Sequence, residues 1–154
     1  MKRLLIFIFI FWSIGIHAQQ KFALVIGNAA YTNFGALGNP ANDANDMAET
    51  LESLGFTVDR LINGNLNQME TATLRLKNRL MEAGRNSYGF FFFAGHGVQL
   101  DGANYLIPVD SNIPDRSFLR ERALSLQIML DMLNDAKNAL NIVVLDACRD
   151  FPAT

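Results

Sequence analysis

Four apolar runs separated by amphipathic stretches restrict this chain to one kind of architecture. Residues 21–27 (KFALVIG) are apolar almost throughout, as a strand covered on both faces must be. Residues 56–61 alternate and read as a second strand. Residues 88–94 (YGFFFFA) form the strongest strand signal and belong at the centre of a sheet, and residues 141–146 (NIVVLD) make the last strand. Between them the period changes from two to about 3.6. Pro40 opens a helix that repeats Ala44, Met47, Ala48, Leu51 and Leu54 before Gly55 ends it. Asn67 is expected to cap a second helix, with Met69, Leu74, Leu76, Leu80 and Met81 as its apolar positions and Gly84 after its end. Ser125 is expected to begin a third, with Ile128, Met129, Met132 and Leu133 turned inward. Strands alternating with helices demand a mostly parallel sheet with helices on both faces, an α/β three-layer sandwich of about four main strands. Residues 98–108 hold two short extended pieces around Asp101-Gly102, expected to form a hairpin, and residues 110–122 read as an irregular surface loop.

The first 18 residues stand apart. Lys2 and Arg3 precede an apolar run at 4–16, and Ala18 offers a small residue for cleavage, the plan of a secretory signal peptide. The run is shorter than the roughly 20 residues a membrane span needs; an uncleaved anchor is the competing reading. The expected organisation is therefore a signal peptide at 1–18 and one catalytic domain at 21–154, exported to a periplasmic or extracellular space, with no stable membrane span once the signal is removed. A formal net charge of −2 argues against nucleic acid as a partner.

Export sharpens the reading of Cys148, the chain's single cysteine. Outside a reducing compartment most cysteines pair, and this one has no mate within the chain. It either bonds another molecule, serves as a small buried hydrophobe, or is a thiol kept for chemistry. It ends the last strand. His96, 52 positions upstream, ends the 88–94 strand between Gly95 and Gly97. Ligands of parallel sheets bind beyond the carboxyl ends of the strands, where both residues lie. An imidazole can take the thiol's proton and later protonate the leaving amine. A lone histidine is more often a satisfied loop residue, but a strand end flanked by glycines favours function. The backbone N–H groups of Gly97 and Cys148 are candidate donors to a tetrahedral oxyanion.

The blocks LVIGNAAY, NPANDA, FFFAGHGVQLDGANYLIPVD and IVVLDACRD, in this order, resemble the caspase-like cysteine peptidases, most closely their bacterial metacaspase branch. The resemblance covers residues 21–151. It implies a cysteine endopeptidase with His96 as general base and acid, Cys148 as nucleophile, and the amides of Gly97 and Cys148 as oxyanion hole. It also implies that Asp43 and Asp146 hold the substrate's lysine or arginine, since metacaspase-like relatives use acids where caspases proper use arginines. Asp43 also suits the first turn of a helix, and Asp146 a strand-end acceptor. Peptide or protein is the implied partner and no cofactor is expected; relatives include calcium-dependent members, but the scattered acids Asp110 and Asp115 make no ligand cluster. Arg149-Asp150 departs from the small residues common after the thiol in eukaryotic members. The family's fold carries about six main strands, so the chain reads as its large-subunit portion, incomplete after the cysteine. An incompetent caspase-like binding or assembly module is the alternative function.

Overall fold

The computed structural model describes residues 19–148. The expected signal segment and the stretch from Arg149 to Thr154 lie outside the described residues.

The central sheet is parallel, with strands β1 (Gln20–Gly27), β2 (Thr57–Ile62), β3 (Ser87–Gly95) and β7 (Leu140–Ala147) in the order β2-β1-β3-β7. Its handedness follows from the chain path. Going from β1 out to β2, helix α1 (Pro40–Ser53) covers one face; going back from β2 to β3 and on to β7, helices α2 (Leu66–Ala83) and α4 (Leu126–Asp135) cover the other. A right-handed crossover reverses face when it reverses direction, so a β1-first order places one helix against two. Side chains of β1 and β3 divide by the period of two: Leu24, Ile26, Phe91 and Phe93 pack with α2 and α4, while Ala23, Val25, Phe92 and Ala94 pack with α1. Both strands are buried on both faces, as their unbroken apolar runs require. Gly27 ends β1 under α1, where a Cβ would lie 2.4 Å from the Pro40 carbonyl oxygen.

The outer strand β7 is covered unevenly. On the α2/α4 face Val143 packs against the core. On the α1 face, Leu140, Ile142 and Val144 are 49%, 41% and 37% exposed, because α1 lies over β1, β2 and β3.

Several expectations need correction. Asn65, not Asn67, caps α2: its side chain accepts from Gln68 N at 2.9 Å while the Gln68 side chain accepts from Asn65 N at 2.9 Å. Gln68 at the third helical position makes this reciprocal pair, and Asn67 falls one residue inside the helix. Asn65→Ala is expected to cost about 1 kcal/mol in urea unfolding, with Asn67→Ala far less. Ile128, expected inward, is 60% exposed, and Leu74 and Met81, two of the apolar positions of α2, are 48% and 51% exposed. On α4 the buried stripe is Leu126, Met129 and Leu133, and Ile128 lies outside it. Leu54 stands exposed at the C-cap of α1. The expected irregular loop at 110–122 contains a 3₁₀ turn at Arg116–Phe118 and one α-helical turn, α3 (Leu119–Arg122), anchored by fully buried Leu119. The hairpin around Asp101-Gly102 is β4 (Gly97–Leu100) and β5 (Ala103–Leu106), and β6 (Leu124–Ser125) adds a third antiparallel strand to it. Ser125 caps α4 as expected, its Oγ accepting from Ile128 N.

Candidate active site

The register of the sheet brings the two chemical residues side by side. Gly95 pairs with Ala147 as the last residues of adjacent parallel strands, so His96 and Cys148 are each the next residue along. Strands in a sheet lie about 4.8 Å apart, which makes the two backbones neighbours at one rim. Gly97 tightens the arrangement: a Cβ there would sit 2.7 Å from the Cys148 carbonyl oxygen and 3.0 Å from the Ala147 Cβ. Only a glycine lets the start of β4 press this closely on the end of β7, and the contact brings the Gly97 backbone beside Cys148. The Cys148 thiol is free and exposed.

His96 is half-buried, and its imidazole is held on three sides. Its Nε2 lies 2.7 Å from the Gly35 carbonyl oxygen. A carbonyl only accepts, so Nε2 carries the proton and Nδ1 keeps its lone pair. The Tyr31 ring packs against the imidazole with centroids 4.4 Å apart, and the Phe34 ring stands 6.2 Å away. The Nε2 proton is thus committed to Gly35, leaving Nδ1 as the basic atom.

The loop from Asn28 to Asn39 that supplies Gly35, Tyr31 and Phe34 is itself pinned. Fully buried Asn28 donates to the carbonyl oxygens of Gly64 and Ile107 and accepts from Gly64 N at 2.8 Å. Asn63, at φ +55°, accepts from the amides of Ala29 and Ala30. These bonds tie the loop after β1 to the loops after β2 and β5, at the point where the chain's path through the sheet reverses, which is where such sheets take ligands.

The predicted acids line a cavity with Cys148. Asp43, half-buried in the first turn of α1, and Asp146, exposed near the end of β7, line one cavity of about 420 Å³ together with Gly95 and Cys148. Asp43 keeps its favourable place at a helix N-terminus while also lining the cavity. A second, smaller cavity of about 110 Å³ lies beside Cys148 and is lined by Gly97, Asn104, Tyr105 and Leu145. The two cavities flank the thiol. The first includes Asp146, on the α1 face of β7, and the second Leu145, on the opposite face. Among the described residues, no group of three or more His, Cys, Asp or Glu side chains is placed to hold a metal ion.

Two contributors to this site escaped the sequence reading. The Gly35 carbonyl has no residue-type signature, since any residue there offers one. Tyr31 closes the LVIGNAAY block, but nothing in its spacing connects it to a histidine 65 positions later.

Comparisons with known proteins find relatives of this chain. The family model described as "Caspase domain" matches residues 20–153. The human mucosa-associated lymphoid tissue lymphoma translocation protein 1 is 32% identical over 132 residues, which are 86% of this chain and 15% of that protein. Its mouse homologue matches to the same extent, so the chain spans about a seventh of the length of these relatives. A crystal structure of a Geobacter sulfurreducens protein shares the fold, with a TM-score of 0.65 at 20% identity, covering 84% of this chain and 50% of that one.

Proposed function

We propose that this chain, which belongs to the caspase-domain family of cysteine peptidases, is an exported endopeptidase that cleaves after arginine or lysine with a His96–Cys148 dyad. The observation that carries this reading is the cavity shared by Asp43, Asp146 and Cys148. A cationic side chain entering it meets two carboxylates while its own carbonyl carbon stands at the sulfur. Among the described residues lining that cavity the charged side chains are the two acids Asp43 and Asp146, which supports a basic substrate side chain over an acidic one.

The chemistry follows from the two residues. Cys148 Sγ passes its proton to His96 Nδ1, and the thiolate adds to the scissile carbonyl carbon. The resulting oxyanion is held by the N–H groups of Gly97 and Cys148. Protonated His96 then gives its proton to the leaving amine as the C–N bond breaks, leaving a thioester on Cys148. A water, deprotonated by His96, hydrolyses that thioester and restores the thiol. The Gly35 carbonyl keeps Nε2 protonated throughout, so Nδ1 does all the proton transfer. No cofactor takes part, and the partner is a peptide or protein substrate. The basic start and the apolar run at 4–16 support export.

One observation favours a second reading, a peptide-binding module without turnover. Asp146 is exposed, and among the described residues nothing covers the strip Leu140–Ile142–Val144 beside it. An arginyl chloromethyl ketone separates the two. The peptidase reading expects one label per chain, on Cys148, at a rate at least about tenfold above that of an uncharged or aspartyl analogue, as one or more units of 1.4 kcal/mol of charge recognition would give. Equal labelling by all three reagents sinks the peptidase reading and leaves the binding module.

A further inference from the structure

Tyr31 is a buried phenol that the dyad chemistry does not use, yet both hydrogen bonds of its hydroxyl lead to the His96 peptide or the strand-end residue bonded to it. Its hydroxyl accepts from the His96 backbone N–H at 2.8 Å and donates to the Ile107 carbonyl oxygen at 3.3 Å. Ile107 N in turn donates to the His96 carbonyl oxygen at 3.0 Å. The peptide of His96 is thus held at both ends, through Tyr31 on one side and Ile107 on the other. The ring of the same tyrosine packs on the imidazole at 4.4 Å. Burial pushes the phenol well above its ordinary value, opposed only by the His96 amide bond, so it stays neutral and keeps both roles, donor and acceptor. Gly95 completes the fit. It holds φ +155°, and a Cβ there would lie 2.6 Å from the Tyr31 hydroxyl and 2.9 Å from the Phe93 ring. The glycine before the histidine is therefore the space the hydroxyl occupies.

We propose that Tyr31 is a positioning residue for the imidazole: its hydroxyl fixes the His96 backbone and its ring fixes the side-chain plane, so that Nε2 stays on Gly35 and Nδ1 faces the thiol. This rests on the dyad reading above. Tyr31 touches neither substrate cavity, so it acts on the proton-transfer step and not on recognition.

The test compares Tyr31→Phe, which keeps the ring, with the unaltered chain and with His96→Ala, all normalised to titrated thiol. For Tyr31→Phe, kcat on an arginyl peptide is expected to fall about tenfold, as a small misplacement of a reacting group does, with KM within twofold. The ¹⁵N signals of the His96 ring, which report Nε2–H alone in the unaltered chain, are expected to show both tautomers in the variant, and they report this whether or not peptide is cut. A purely structural tyrosine would lower the melting temperature without moving either readout. Unchanged kcat with an unchanged tautomer overturns the proposal. If His96→Ala keeps its turnover, the dyad reading falls and the proposal with it; if His96→Ala is inactive and Tyr31→Phe is normal, the positioning role alone falls. Should Tyr31→Phe fail to fold, hydrogen exchange of the His96 amide in the unaltered chain decides: at least about hundredfold protection supports the clamp, and exchange at the rate of a free amide overturns it.

Discussion

Replacing Cys148 with alanine is expected to lower the rate of cleavage after arginine or lysine by about four orders of magnitude, the scale on which removal of a nucleophile acts in hydrolases that work through an acyl intermediate. A fluorogenic arginyl peptide measures it. The expectation is sharp because this is the only cysteine in the chain, so no second thiol stands in for it or takes up label in its place. The side chain is exposed and lies one residue beyond β7, so its loss opens no cavity and the melting temperature is expected to stay within about 2 °C. Cys148→Ser separates thiol chemistry from position. A hydroxyl in the same place keeps the geometry but is far less acidic than a thiol, and the partner of His96 Nε2 is a neutral carbonyl, which does little to strengthen the imidazole as a base. The serine variant is expected to be nearly as inactive as the alanine one. Turnover by Cys148→Ala within tenfold of the unaltered chain would show that another group attacks the substrate.

Neutralising the acidic cavity is the second large effect. Asp43→Asn with Asp146→Asn is expected to reduce kcat/KM for an arginyl peptide roughly 10²–10³-fold, the scale on which removing the partners of a bound charge acts. A peptide with an uncharged side chain at the same position should change by less than about threefold, because the two amides keep the shape and volume of the acids and remove only the charge that a cation would meet. Of the single variants, Asp43→Asn is expected to do more, since Asp43 is half-buried while Asp146 is exposed and water screens it. An equal loss for charged and uncharged peptides would mean that the acids shape the strand ends and do not read the substrate. Persistence of arginine preference in the double variant would move the recognition site elsewhere on the molecule.

Most of what places the thiol and the imidazole was readable in one dimension. Four consecutive phenylalanines admit only a strand buried on both sides, and such a strand in an alternating α/β chain must be internal. From that, the carboxyl-end location of Gly95, His96 and Cys148 follows, and the register confirms it by pairing Gly95 with Ala147. The acids were assigned by resemblance, and the fold brings both to one cavity although they lie 103 positions apart. What escaped has a common physical character. The Gly35 carbonyl, the Tyr31 hydroxyl and the two-residue strand β6 act through backbone groups or a single long-range contact, and neither leaves a period in the sequence. The cap of α2 escaped for a different reason: three asparagines within five residues, at 63, 65 and 67, are each competent on their own, and only the reciprocal bond with Gln68 selects the middle one. Ile128 was misplaced because α4 is rich in apolar residues all round, and a short helix with more hydrophobes than its buried stripe can hold must leave some outside.

The uncovered strip on β7 has a practical side. Reporter dyes used to follow melting fluoresce when they find oily surface, and Leu140, Ile142 and Val144 offer it in the native state. Such a dye would glow at the outset and flatten the apparent transition. Circular dichroism or calorimetry, which ignore that surface, are the sounder ways to rank the variants described above.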